Sequence, residues 1–325
     1  MREKYNVGDS YKVFLWALLL PQVVSFLLVL IFSANKGQQQ LIENYFYIFC
    51  MTMVAQVCFL LILARYNKKN NINTFIATKI KTKFNPKNAF FCVLISIIAV
   101  SGFINFIALF EKVLFNFGFS GNSVSLPLNS PLWLIVNIMV SAIVPAVMEE
   151  FIFRGVIFNG LEKKSFWFAC LVSSLCFTIV HLSIYSLIYP FVMGIIFCLI
   201  LRKTGSILYT MIAHFCNNLI VIIINYIRVV KGVDFGVLNV NTWWGGLLVS
   251  VVAILAFVTI YLIIKVFMDA GKNHKTNVID LNNDGDNQLV VISGNNKNEK
   301  MLALSILIGV VFWIMIFVLT YFVGV

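Results

Sequence analysis

A chain of 325 residues that is 61% hydrophobic and only 11% charged, with a mean hydropathy of +0.94, is too apolar for a soluble globular domain. The net charge of +11 forms no basic stripe on a soluble fold, which argues against a nucleic-acid binder and leaves membrane orientation as its use. All seven cysteines fall inside apolar runs without a CxxC pair, so they read as buried small hydrophobes rather than a disulfide, redox or zinc framework.

The pattern predicts an all-α polytopic membrane protein with nine spans: Val13–Ser33, Tyr45–Ala64, Ala89–Phe110, Pro131–Gly160, Phe166–Tyr185, Leu187–Leu201, Ser206–Tyr226, Gly246–Phe267 and Met301–Val323. The first apolar run reaches about Ser33 without a small-residue cleavage site, so a retained helix is expected rather than a signal peptide. Leu187–Leu201 is the weakest span, being short and carrying Pro190 and Gly194. With the N-terminus inside, 19 of the 24 basic residues fall on cytoplasmic segments, and only Lys36, Lys112, Arg228 and Lys231 fall outside. The expectation is a multi-pass protein of a bacterial plasma membrane with a cytoplasmic N-terminus.

Two polar segments punctuate the spans. Arg65–Lys87 has seven basic residues and no acidic one, and reads as a loop on anionic lipid with Phe75, Ile76 and Ile80 at the interface. Asp269–Lys300 is Asn- and Gly-rich. Within it Asp280–Asp286 has the early spacing of a calcium loop, but Val291 stands where the twelfth-position glutamate belongs, so a cytoplasmic loop is expected. No internal repeat is evident.

Three full charges interrupt the fourth span: Glu149, Glu150 and Arg154. A charge at that depth costs at least ~2.5–3.5 kcal/mol on insertion scales, so it calls for a partner and a use. Glu150 and Arg154 are four apart and can pair along one helix face, while Glu149 points about 100° away and lacks an intrahelical cation. Glu149 is thereby left to exchange a proton. Pro145 withholds the hydrogen bond that the Ser141 carbonyl would normally accept, which predicts a kink beside Glu149.

Two of the three histidines are predicted inside spans. His181 follows Phe177 by four residues, and Asn218 follows His214 by four, each pair sharing a helix face. Counted at ~1.5 Å per residue from the cytoplasmic ends, Glu149, His181 and His214 lie about 20, 24 and 18 Å deep, close to one level. His274, in the polar loop, reads as solvated.

A free carboxylate, two imidazoles and an amide at one depth suit hydrolysis. Glu149 would be general base on a water, His181 would share its proton, and His214 with Asn218 would donate to an oxyanion. Cys216 lies two residues from His214 and points to another face, which argues against a thiol nucleophile. Glu149, His181 and His214 also match a three-ligand zinc set with water in the fourth place, although HExxH is absent. Two other uses stay open: a buried polar cluster that only locks helix packing in a scaffold or immunity protein, and a proton relay in a transporter. The absence of an inverted repeat speaks against the transporter.

The order Glu149-Glu150-xxx-Arg154, Phe177-xxx-His181 and His214-xxx-Asn218 on successive spans resembles the CPBP (ABI) family of CaaX proteases and bacteriocin-processing membrane proteins. The resemblance covers about 131–226. It implies an eight-helix, all-helical fold and a glutamate-dependent intramembrane endopeptidase. Glu149 and His181 would be catalytic, His214 and Asn218 would orient water or hold an oxyanion, and Glu150, Arg154 and Phe177 would support them. It implies no required cofactor, with zinc as the alternative, and a membrane-associated protein or peptide as substrate. Within this scheme residues 1–268 form the membrane-embedded region, 269–300 the polar loop and 301–325 an additional helix. The Asn-, Lys-, Ile- and Phe-rich composition looks like that of an AT-rich bacterium, where peptide maturation or bacteriocin self-immunity suits such an enzyme better than trimming of prenylated proteins.

Overall fold

A computed structural model describes residues 2–33, 44–78, 80, 84–119, 125–233, 243–270 and 301. The described chain is helical throughout: α1 (Val7–Ser33), α2 (Tyr45–Lys69), α3 (Pro86–Asn116), α4 (Pro131–Leu161), α5 (Phe166–Ile179), α6 (Ile188–Thr204), α7 (Ile207–Lys231) and α8 (Trp243–Leu262, prolonged by wider turns at Ile263–Phe267). Among the described residues seven helices are long and apolar enough to cross a membrane, and α5 is the short exception.

Start and stop signals in the sequence set these boundaries. Asn44, Asn85, Ser130, Ser165 and Ser206 each cap a helix by accepting backbone N–H bonds with their side chains, and Pro86 and Pro131 open theirs at the first helical position. Gly205 and Gly232, at φ +69° and +64°, close α6 and α7 in the left-handed conformation that glycine adopts without strain. Phe26, Ile254 and Leu255 are more than half exposed, as lipid-facing side chains should be.

Helices α1 and α2 pack together and against the second half of α4, around a core that includes Phe14, Phe59, Phe153 and Phe158. On the other side α3 packs on α7 and α8, while α6 lies between α5 and α7. Helix α4 thus runs through the middle of the bundle. Two of its stretches, Ile138–Ile143 and Phe151–Phe158, are wound as π-helix, and outside side chains take up their carbonyls: Ser173 Oγ donates to Phe153 O at 2.7 Å and Ser10 Oγ to Ile157 O at 3.1 Å.

Three sequence expectations are corrected. The span expected over Phe166–Tyr185 stops at Ile179, and the chain reverses through Leu182 at φ +47°. Leu187–Leu201, expected to be weakest, becomes a 21-residue helical stretch, Ile184–Thr204. Its Pro190 falls in the first turn of α6, where a missing N–H costs little, and Gly194 allows close approach to Ser174. Ile80 packs against the core rather than the interface, whereas Phe75 and Ile76 are exposed on the single turn Thr74–Ala77. The loop 271–300, with its calcium-like stretch and His274, and the ninth span beyond Met301 lie outside the described residues.

Candidate active site

The centre of α4 carries the buried charges. Arg154 Nη1 donates to Glu150 Oε1 at 2.9 Å, and both side chains are fully buried, so the pair predicted from i,i+4 spacing is present. The guanidinium lies between two rings, 4.6 Å from the Phe177 centroid and 5.0 Å from that of Phe197. Among the described residues its Nε and Nη2 and the second oxygen of Glu150 find no hydrogen-bond partner, so the faces of the two aromatics do much of the charge stabilisation.

Helix α7 brings His214 to the same place. Its Nδ1 lies 3.0 Å from Glu150 Oε1, and a carboxylate can only accept, so Nδ1 carries a proton. Its ring stacks on Phe197 at 5.1 Å and 25°, and its Nε2 lies 3.7 Å from Glu149 Oε2. Glu150 therefore holds both Arg154 and His214, and through the latter orients a ring edge toward Glu149.

Glu149 is 9% exposed, and its other oxygen, Oε1, accepts from Gln56 Nε2 of α2 at 2.7 Å. It opens onto a cavity of about 270 Å³. Glu149, Phe177, His181, His214 and Asn218 all line that cavity, so five of the seven site residues expected from sequence meet there, while Glu150 and Arg154 lie behind the wall.

His181 differs from expectation in one respect. It lies beyond the end of α5, in the turn after Val180, and it is exposed rather than buried in a span. The reversal at Leu182 ends the helix early and turns the imidazole to the cavity mouth. Its Nδ1 lies 2.7 Å from the Phe177 carbonyl, which can only accept, so in the neutral ring Nε2 carries the lone pair.

Asn218 Nδ2 donates to the Ser141 carbonyl at 3.2 Å, and its Oδ1 accepts from Asn217 Nδ2 at 3.3 Å. Asn217 in turn accepts a short hydrogen bond from the Tyr189 hydroxyl. Gln56, Asn217 and Tyr189 are cavity residues that the sequence reading passed over. Asn217 was open to detection, since it lies three residues after His214 on the same face of α7. Gln56 was visible as an amide in an otherwise apolar span, the kind of residue that needs a use within a membrane.

The three-ligand zinc alternative needs Glu149, His181 and His214 to converge. Among the described residues no three His, Cys, Asp or Glu side chains are grouped closely enough to hold one metal ion. All seven cysteines are free thiols.

Residues 131–220 match the family model described as Rce1-like, type II CAAX prenyl endopeptidase Rce1-like. The chain is also 36% identical over 134 residues to a curated Bacillus subtilis (strain 168) protein named "Putative membrane peptidase YdiL", a match covering 38% of this chain and 54% of that protein. The match thus spans about half the length of that relative. No solved structure gives a significant match.

Proposed function

We propose that this chain belongs to the CPBP/CAAX protease family, whose Rce1-like model residues 131–220 match, and is an intramembrane endopeptidase that cleaves a peptide bond in a membrane-associated protein or peptide with water activated by Glu149. The observation that carries the proposal is a buried carboxylate on the wall of an intramembrane cavity, with one oxygen held by Gln56 and the other facing an imidazole whose far nitrogen is fixed by Glu150.

Glu149 takes a proton from water as the oxygen attacks the scissile carbonyl, and later returns it to the departing amine. His214 donates from Nδ1 to Glu150 and turns its Nε2 edge to the cavity; with a proton on Nε2 as well, it would donate to the developing oxyanion. An amide nitrogen carries two hydrogens, so Asn218 keeps a second donor after binding Ser141. His181, with its Nε2 lone pair at the cavity mouth, takes up the proton that the newly formed carboxylic acid releases and passes it to bulk water.

The biological use proposed is maturation of a secreted peptide or self-immunity to a bacteriocin. Quantitative peptide analysis of membrane and medium from the native host tests the proposal, comparing wild type with Glu149→Gln at equal abundance. A fragment formed only with wild type supports it and names the substrate. Identical peptides and phenotype would instead favour a scaffold whose buried polar groups only lock packing.

A further inference from the structure

The cavity has a wall that residues 131–220 do not supply. Thr52 and Gln56, one turn apart on α2, line it together, and Gln56 is 6% exposed. Thr52 spends its hydroxyl on the Ile48 carbonyl at 2.9 Å, as a helical threonine commonly does. Gln56 instead reaches across to α4 and donates to Glu149 Oε1 at 2.7 Å. Its own carbonyl, buried and without a partner among the described residues, belongs to a side chain on the cavity wall. A buried amide with one half satisfied by a carboxylate and the other unpaired adds little to packing. It does fix which carboxylate oxygen stays available.

We propose that Gln56 is a positioning residue for Glu149, and this rests on the protease reading above. By holding Oε1 it turns Oε2 toward His214 and the cavity, so the oxygen that receives the water's proton is set by a helix outside the family-matched segment.

The test uses membranes isolated from a host lacking the chain and complemented with wild type, Glu149→Gln, Gln56→Met or Gln56→Glu. The endogenous membrane proteins serve as substrates. Initial rates of fragment release are followed by quantitative peptide mass spectrometry, with abundance checked by immunoblot and thermal midpoint in detergent. Gln56→Met keeps length and volume but cannot donate or accept, and is expected to slow release on the order of a hundredfold at an unchanged midpoint. Gln56→Glu is expected to be slow at neutral pH and to recover in part as pH falls, because a protonated carboxyl can donate where the amide did. A packing role would not give that recovery.

Wild-type rates for Gln56→Met overturn the proposal, as does a Gln56→Glu variant that is equally slow at every pH. If Gln56→Met fails to accumulate, the near-isosteric Gln56→Glu variant decides by its pH dependence. Should wild type and Glu149→Gln release the same peptides, the protease reading itself fails, and the role of Gln56 falls with it.

Discussion

Asn218 on α7 donates to the Ser141 carbonyl on α4, the carbonyl that Pro145 leaves without its usual helical donor. The proline that loosens α4 one turn before Glu149 thus also ties α4 to the helix carrying His214. Pro145→Ala would restore the missing N–H and let it compete with Asn218. The expected outcome is an unchanged or raised thermal midpoint in detergent with cleavage reduced roughly tenfold or more, since the Asn218 amide would lose its anchor. Cleavage that rises together with stability would show the tie to be dispensable.

Arg154 is predicted to resist conservative replacement. Its planar group sits between Phe177 and Phe197 while bonding Glu150, and an ammonium cannot stack that way. Arg154→Lys should lose activity and lower the midpoint. Arg154→Leu should cost about 3–5 kcal/mol, because it strands the fully buried Glu150. Glu150→Gln combined with Arg154→Leu should recover part of that loss, and a thermal-shift double-mutant cycle measures it.

Helices α5 and α6 meet where Gly194 faces Ser174. A Cβ added at Gly194 would lie 2.8 Å from the serine Cβ and Oγ and 3.0 Å from its Cα. Gly194→Val should therefore destabilise by about 1–3 kcal/mol through overpacking. Because Phe177, His181 and Phe197 sit on or beside these two helices, cleavage should fall with it, and a companion Ser174→Gly change should restore part of both.

At the cytoplasmic end predicted from charge, Asp269 fastens the end of α8 to the start of α3. Lys87 Nζ lies 2.8 Å from Asp269 Oδ1, Asn85 Nδ2 donates to Oδ2 at 2.9 Å, and the Asn88 side-chain amide donates to the Asp269 carbonyl and accepts from its N–H. The Lys87 and Asn85 hydrogen bonds hold the Asp269 carboxyl below its ordinary range. A carboxyl depressed on folding contributes stability above its unfolded value and loses it as pH falls through the folded one. Hydrogen exchange at 85–89 and 265–269 should accordingly stay slow at neutral pH and quicken below the ordinary carboxylate range. Asp269→Asn should abolish that pH dependence, and added salt should weaken the latch, since both charges are exposed.

Much of this was legible in the sequence because period and spacing act locally. The Glu150–Arg154 pair and the missing Pro145 donor follow from residues within four positions of one another. The three motif pairs also pointed to one cavity, since depth can be counted along a helix. What stayed hidden was set by packing. The π-helical turns of α4 depend on Ser10 and Ser173 being available to take up carbonyls. The early end of α5 depends on a non-glycine residue, Leu182, accepting a left-handed turn, and this moves His181 from a span to the cavity mouth. Gln56 is separated from Glu149 by 93 residues, and no local rule pairs them.

The most direct measurement follows fragment release in isolated host membranes suspended in heavy-oxygen water, comparing wild type with Glu149→Gln at matched abundance. If Glu149 activates water, wild type yields fragments whose new C-terminal carboxylates carry one heavy oxygen, and the variant, which keeps the shape but cannot take a proton, yields none above background. Labelled fragments appearing at the same rate with Glu149→Gln would contradict the assignment.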